Sequence, residues 1–396
     1  MGQMNRIGVN ALYLIPGGVG GTEIYLRELL RALARIDTQN EYFVFTNLET
    51  GADLVPRQPN FHWKPQAVHA RFRPARILWE QTVLPLEASR YRLDVLFNPG
   101  FTAPVLARCP CVTVFHDLQH KRHPEYFRWF DLPFWRLLLY ASAHRARRLI
   151  AVSEATKTDL MRFYGLPAER IQVISHGVEP AIFALLRDSP AQRGLARPTT
   201  GEFLDTSPAA PALRGLNRTQ IEPYLLCVST LHPHKNIERL VRAYAREKRD
   251  YRLVLAGMRG FHTRPIEELI ARLNVSDSVE LTGWIPREEL YHLYQHARVF
   301  VYPSTFEGFG MPVLEAMAAG VPVACSDIPP LREIAGAECG SALFFDPLKE
   351  DAIADAVDRI MSDEPLRRSL AAAGQERARE FTWERSAERT LAALTD

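Results

Sequence analysis

The segment from Tyr302 to Cys325, YPSTFEGFGMPVLEAMAAGVPVAC, constrains the fold of this chain more than any other stretch. Val299-Phe300-Val301-Tyr302 is a short apolar run with β propensity. Pro303 to Gly310 carries Gly308 and Gly310 and reads as a loop. Pro312 suits the first turn of a helix, where a missing N–H costs nothing. Val313, Leu314, Met317 and Ala318 then recur at helical spacing, and Gly320 with Pro322 ends the helix. Val321 to Cys325 reads as the next strand. Strand–helix units of this kind recur in both halves of the chain. They predict an α/β protein with two doubly wound parallel sheets.

Two carboxylates bracket the glycine turn, Glu307 in the loop and Glu315 on the helix. Gly308 and Gly310 let backbone N–H groups approach a ligand closely, and a helix N-terminus favours phosphate. Carboxylates accept hydrogen bonds from sugar hydroxyls. A nucleotide-sugar has the matching layout, a diphosphate between ribose and hexose. A bare pair of glutamates at this spacing also fits a surface loop followed by a core helix. The whole phrase EGFGMPVLEAMAAGVPV, however, resembles the E-x7-E signature of retaining glycosyltransferases of family 4. That resemblance implies the GT-B fold, two Rossmann-like domains facing across a cleft. It implies donor contacts from Glu307, Gly308, Phe309, Gly310, Met311 and Glu315, with Glu307 also catalytic.

Further segments resemble the same family. Ile7 to Leu14 reads as a strand, followed by the glycines of 17–21 and a helix from Thr22 to about Ile36, with Leu26, Leu29, Leu30 and Leu33 on one face. By the resemblance Gly20 and Gly21 lie near the donor diphosphate and Gly18 near the acceptor. A dinucleotide site would need G-x-G-x-x-G and an acidic residue ending the second strand, where Thr46-Asn47 stand instead. Val112 to Phe115 delivers His116-Asp117 at a strand end. VFHDLQH matches the family's cleft segment, which implies that His116 faces the donor sugar and that Asp117 fixes its loop or touches the acceptor. No G-x-S-x-G elbow accompanies this pair, which excludes a Ser-His-Asp hydrolase. His176-Gly177-Val178 resembles the phrase that closes the first domain, where Gly177 is expected to supply an unusual backbone angle and His176 to cap a strand.

In Ser229 to Asn236 the resemblance makes Lys235 the diphosphate contact, with Thr230 beside it. One cation is absent, since relatives carry Arg at the position of Thr230 or of His234; Arg259 is the candidate substitute. Trp284-Ile285 is implied to hold the base through its backbone. The expected boundaries are 1–183 for an acceptor domain with helix 382–396 packing back on it, 184–222 for a linker or mobile insertion, and 223–381 for the donor domain. Implied catalytic residues are His116, Lys235 and Glu307. No D-x-D triplet occurs, so no metal and no cofactor are expected. The partners implied are a nucleotide-sugar donor and a saccharide or lipid-linked acceptor, with no nucleic acid. VFHDLQH resembles polysaccharide mannosyltransferases, which points to GDP-mannose. A sugar phosphorylase, a nucleotide-sugar epimerase and a non-catalytic sugar-nucleotide-binding subunit remain as alternatives.

Charge is unevenly spread. Residues 1–180 hold 22 Lys and Arg against 16 Asp and Glu, a balance of +6, and the remainder is −4. Within 57–92, seven positive charges against two negative interleave with Trp63, Phe72, Trp79 and Tyr91. A helix over Arg76–Glu87 is expected there, either packed with solvated arginines or lying on an anionic membrane. No run approaches the length of a membrane span and no charged-then-apolar leader opens the chain. Five cysteines, odd in number and placed in apparent strands, suggest reduced thiols. Together these features predict a cytoplasmic protein, peripheral to a membrane if the basic stretch engages one.

Overall fold

The structure, a computed structural model, describes residues 4–17, 20–127, 129–184, 223–246, 250–260 and 262–396. Gly18 and residues 185–222 of the expected linker or mobile insertion lie outside the described residues. The chain divides into two compact units, Met1–Gly177 with Phe381–Asp396, and Val178–Glu380.

The first unit carries β1 (Arg6–Ala11), α1 (Gly21–Ile36), β2 (Glu41–Thr46), β3 (Phe61–Pro65), α2 (Arg73–Arg90), β4 (Val95–Asn98), β5 (Cys111–Phe115), α3 (Gln119–Arg122), α4 (Leu132–Arg145), β6 (Arg148–Ala151), α5 (Glu154–Tyr164) and β7 (Ile171–Val173). Its strands pair parallel in the order β3-β2-β1-β4-β5-β6-β7. β4 and β5 are buried throughout, as strands in a sheet covered on both faces must be. The second unit carries α6 (Pro180–Ala184), β8 (Tyr224–Val228), α7 (Ile237–Ala245), β9 (Arg252–Ala256), α8 (Thr263–Arg272), β10 (Val279–Gly283), α9 (Arg287–His296), β11 (Val299–Tyr302), α10 (Met311–Ala318), β12 (Val323–Ser326), α11 (Pro329–Ala335), β13 (Leu343–Phe345), α12 (Glu350–Ser362) and α13 (Glu364–Ala378). Its order is β10-β9-β8-β11-β12-β13, again all parallel. In each sheet the strand order reverses once, between β1 and β4 and between β8 and β11. Such switch points leave a crevice at the carboxyl ends of the strands.

Several local expectations shift. α4 opens at Leu132, so Pro133 falls in its first turn, where a missing N–H costs nothing. α2 spans Arg73–Arg90, longer than Arg76–Glu87, and retains Pro85 inside it. The division falls at Gly177, so α6 packs in the second unit against α10 rather than in a first domain ending at 183. All five cysteines are free, and Cys339 sits exposed in a turn rather than in a strand.

The chain returns to the first unit as α14 (Trp383–Thr395), whose start is capped by Thr382 Oγ1 accepting from Arg385 N–H at 3.2 Å. α14 packs on α1, and Ser386 Oγ donates to Ser175 O at 2.5 Å. Between these helices lies an aromatic cluster. The Tyr25 ring is 4.9 Å from both His116 and His176, and His176 stacks on Trp383. Gly177 has no unusual backbone angle. It is required because a Cβ there would lie 2.3 Å from the Trp383 nitrogen, against backbone that cannot turn aside.

Gly177→Ala should therefore destabilise the protein by about 1–3 kcal/mol through overpacking, read as a lowered urea midpoint. An unchanged midpoint would show that α14 docks independently of this contact. A second expectation follows from the buried imidazoles. Burial pushes His116 and His120 down to about 4 from the ordinary 6.5, and His176 well below it. Between about pH 4 and 6.5 the unfolded chain thus binds more protons than the folded one, so stability falls as pH falls through that window. His120→Gln keeps a partner for the Tyr164 hydroxyl, 2.7 Å away in the native protein, without a titrating ring. It should flatten part of the slope of urea midpoint against pH; a parallel profile would contradict the assignment.

Candidate functional site

In the second unit the loops after β8 and β11 are stitched together. The short turn Pro233–Lys235 ends at Asn236, whose φ of 59° lies in the left-handed region that Asn tolerates. Asn236 Nδ2 donates to Pro303 O at 3.0 Å and to Pro347 O at 2.8 Å. Thr305 N–H and Ser304 Oγ both donate to His234 O, at 2.8 and 3.1 Å. These bonds bring Lys235 and Glu307 together. Lys235 Nζ lies 2.6 Å from Glu307 Oε1 and 3.1 Å from the Tyr302 hydroxyl. Burial pushes the Glu307 carboxyl up, but Lys235, His234 and the bonds from Lys235 and Ser304 outweigh it and hold the group below the usual carboxylate range. An ionised carboxylate and an ammonium thus share a switch-point crevice, a setting for hydroxyls and for an anion.

Gly310 follows, with φ 114°, and caps the start of α10. Every residue of α10 from Val313 to Ala318 is buried, so Glu315 is a carboxylate on a helix that is otherwise apolar all round. Glu315 is 4% exposed. Its Oε1 takes Arg287 Nη2 at 3.0 Å and its Oε2 takes the Tyr294 hydroxyl at 3.1 Å. Here burial wins: the carboxyl is held above its ordinary value, with Arg287 and Tyr294 offsetting only part of the cost. Sequence reasoning missed Arg287, Tyr294, Tyr302 and Glu179. The only signal was Arg287 opening a helix after the Trp284-Ile285-Pro286 turn.

The other expected donor residues stand on the loops after β8, β9 and β10. Thr230 is half-buried at the end of β8, and Leu231 N–H donates to Met258 O at 3.2 Å, joining the loops after β8 and β9. Arg259 in that second loop is largely exposed, and its guanidinium sits 3.3 Å from Glu267. Trp284 is exposed and Ile285 half-buried beyond β10, where Gly257 N–H donates to Gly283 O at 3.0 Å.

In the first unit His116 ends β5, buried, with Nε2 2.8 Å from Pro99 O at the end of β4. With its low pKa the ring is neutral at pH 7, and the Pro99 carbonyl can only accept, so Nε2 carries the proton. Asp117 Oδ1 accepts from Gln119 N–H at 2.8 Å, so this side chain shapes the start of α3. Gly20 has φ 58° and precedes α1, which opens with Gly21. The amide of Gly17 is taken by Glu23 Oε2 at 2.8 Å, so an acidic side chain of α1 occupies part of the expected phosphate cradle.

A separate surface of this unit is apolar. α4 turns Leu138, Leu139, Ser142 and Ala143 inward, yet leaves Phe134, Leu137 and Tyr140 outward, after Trp129 at 83% exposed and Phe130. Arg73 of α2 lies 3.8 Å over the Trp135 ring, Val105 N–H donates to Gln81 of α2 at 2.9 Å, and Arg145 donates to Ala107 O at 2.6 Å. These contacts tie the start of α2 and the 105–107 segment to α4. Of 16 exposed large apolar side chains among the described residues, ten lie between 72 and 140, a concentration beyond scattered surface residues. Among the described residues no helix is long and apolar enough to cross a membrane.

Comparison with known proteins places this geometry. The family model for "Glycosyltransferase Family 4" matches residues 19–182, and that for "Glycosyl transferases group 1" matches 214–377. An O-antigen chain mannosyltransferase B of Escherichia coli is 31% identical over 310 residues, 76% of this chain and 74% of its own. The MMP alpha-(1->4)-mannosyltransferase of Mycolicibacterium hassiacum is 28% identical, covering 71% of this chain; this chain spans 63% of that relative's length. Among solved structures, a sucrose-phosphate synthase from Thermosynechococcus elongatus superposes with TM-score 0.75 at 22% identity over 98% of both chains. Anabaena HepE, solved with UDP and glucose, does so with TM-score 0.70 at 19% identity over the whole of both. With both halves matched by family models and a long relative above 30% identity, the chain belongs to the family 4 glycosyltransferases and carries the two parallel-sheet α/β domains of the GT-B fold.

Proposed function

We propose that this glycosyltransferase moves a hexose, with retention, from a nucleoside diphosphate sugar to a hydroxyl of a saccharide or lipid-linked acceptor, without a metal. The carrying observation is the Lys235–Glu307 pair at the switch point of the second unit. Breaking the sugar–phosphate bond builds charge on the diphosphate. Lys235 and the start of α10 supply a positive environment there without reorganisation. Glu307 would take hydroxyls of the reacting sugar, and Glu315 those of the ribose. Neutral His116 presents a hydrogen-bonding ring without adding charge. No carboxylate is assigned as a nucleophile, so the leaving phosphate would assist attack from the same face. The names of the relatives favour mannose, and GDP-mannose is the donor we would test first.

The test is incubation with GDP-mannose and a mannoside acceptor in the presence of EDTA, followed by NMR of the anomeric linkage. The expected result is an α-linked product formed at an undiminished rate. Turnover abolished by EDTA and restored by Mg²⁺ would overturn the metal-free reading. Conversion of the donor with no acceptor consumed would favour an epimerase, and binding with no turnover a non-catalytic subunit.

The glutamates should fail differently. Glu315→Ala should weaken both the nucleotide-sugar and the bare nucleoside diphosphate by about 1.5–3 kcal/mol, the loss of a charged acceptor. Glu307→Ala should abolish most turnover, yet bind the bare diphosphate as well as before, since it releases Lys235. Calorimetry on each variant decides this; equal loss of the bare diphosphate in both would refute the division.

We also propose that the apolar face of α2, α4 and the 102–107 loop rests on an anionic bilayer. Aromatic and aliphatic side chains interleave there with Arg71, Arg73, Arg136 and Arg145, which matches acyl chains below and phosphate headgroups above. The protein should co-sediment with vesicles of one-third phosphatidylglycerol and be released by salt. Phe134→Ser/Leu137→Ser should lose that binding at unchanged turnover of a soluble acceptor. Equal binding to neutral vesicles, or none, would overturn it.

A further inference from the structure

Arg287 has no place in the E-x7-E spacing, yet its guanidinium sits between two carboxylates. Nη2 lies 2.7 Å from Glu179 Oε1 and 3.0 Å from Glu315 Oε1. Nε donates to the Tyr291 hydroxyl at 2.8 Å, and that hydroxyl donates in turn to the other oxygen of Glu179. The second oxygen of Glu315 takes the Tyr294 hydroxyl at 3.1 Å. The three charged side chains are 27%, 17% and 6% exposed for Arg287, Glu179 and Glu315. One cation between two anions leaves a net negative charge largely out of water. Such a group keeps both carboxylates ionised only while the cation remains; without it, one of them takes up a proton.

We propose that Arg287 is a positioning residue for donor binding, holding Glu315 ionised and oriented toward the donor's ribose hydroxyls, and that Glu179 tunes it by competing for the same guanidinium. This rests on the reading that Glu315 receives the ribose. Arg287 fixes one oxygen of Glu315 and Tyr294 the other, so the direction of the remaining lone pairs is set before a ligand arrives. The ionisable groups around Glu315 are Arg287 and Tyr294 from α9 and Glu179 from the segment before α6, with Tyr291 tied to both Arg287 and Glu179. Glu179 is the second residue of its unit, directly after the chain leaves the first. The carboxylate that receives the ribose is thus biased by the residue at the crossover, a hundred and more positions away in sequence.

Substituting the two partners should move Glu315 in opposite directions. Arg287→Met keeps a long stem and removes the charge, so two neighbouring carboxylates lose their counter-ion and Glu315 titrates at higher pH. Glu179→Gln removes the competitor, leaves the guanidinium to Glu315, and shifts its titration lower. A side chain that merely packed would not give opposite signs.

The experiment is calorimetry of GDP and of UDP from about pH 5 to 9 on the full chain and on Arg287→Met, Arg287→Lys, Glu179→Gln and Glu315→Ala. Titration of the ligand's own phosphate is common to all and drops out of the comparison. Arg287→Met should bind about tenfold or more weakly near pH 6, the effect of a carboxyl protonated one unit or more too early, and recover most of the loss near pH 9. Arg287→Lys should lie between it and the parent, and Glu179→Gln should hold its affinity to lower pH than the parent. Loss of equal size at every pH in Arg287→Met, or inflections moving the same way in both variants, would overturn the proposal while Glu315→Ala still binds weakly. If Glu315→Ala binds like the parent, the ribose reading fails and this proposal with it. Should Arg287→Met not fold, as its thermal melt would show, the signs of the Arg287→Lys and Glu179→Gln shifts decide.

Discussion

The parallel pairing of β8 with β11 is the constraint on which the crevice of the second unit depends. Val299 lies opposite Leu225 and Phe300 opposite Leu226, although β9 and β10 intervene in the chain. The order runs outward from β8 through β9 to β10, then restarts on its other side. That reversal leaves the carboxyl ends of two neighbouring strands without a crossover helix between them. Asn236 exploits the gap. Its left-handed backbone turns the chain into α7 while its amide serves two carbonyls, on the loops after β11 and β13. Lys235 and Glu307 meet because this residue and the His234 carbonyl have already joined their loops.

The two glutamates of the signature then solve the same problem, a carboxylate out of water, in different ways. Glu307 has an ammonium at 2.6 Å, the largest of the influences that together more than offset its desolvation. Glu315 sits deeper, on an apolar helix, and shares its cation with Glu179, so desolvation is not fully met. Breaking either arrangement by removing one partner costs more than the pair contributes, because the remaining charge stays buried. The network around Arg287 is accordingly the more sensitive of the two to its surroundings.

Much of the architecture was legible in the sequence because it depends on local signals. Apolar runs of four to six residues between glycine turns and amphipathic helices give the parallel α/β units, and Leu26, Leu29, Leu30 and Leu33 do line the buried face of α1. The glycine turn before α10 and its following strand were readable for the same reason. What was not legible arises between elements distant in sequence. Arg287 meets Glu315 across 28 positions and Tyr291 meets Glu179 across 112, and no spacing rule announces either. Gly177 was misjudged because its requirement is the approach of the Thr382–Trp383 backbone rather than its own φ. Likewise, the 57–92 composition drew attention to α2, while the exposed apolar side chains extend beyond it, to Val105, Leu106 and the stretch from Trp129 to Tyr140.

The two units share a strand order but fill their switch points with opposite electrostatics. In the second, an ammonium, a guanidinium and three carboxylates crowd the strand ends and the adjoining helices. In the first, the residue delivered by β5 is a neutral imidazole, fixed by the Pro99 carbonyl and boxed by Tyr25, Phe101 and His176. Its neutrality follows from burial, which makes a charged ring costly. Under the proposed transfer this asymmetry has a use. Charge develops on the departing diphosphate, so cations belong with the donor-binding unit. A second fixed charge at His116 would shift its own balance with pH, whereas a ring held neutral by burial keeps one hydrogen-bonding state across the physiological range.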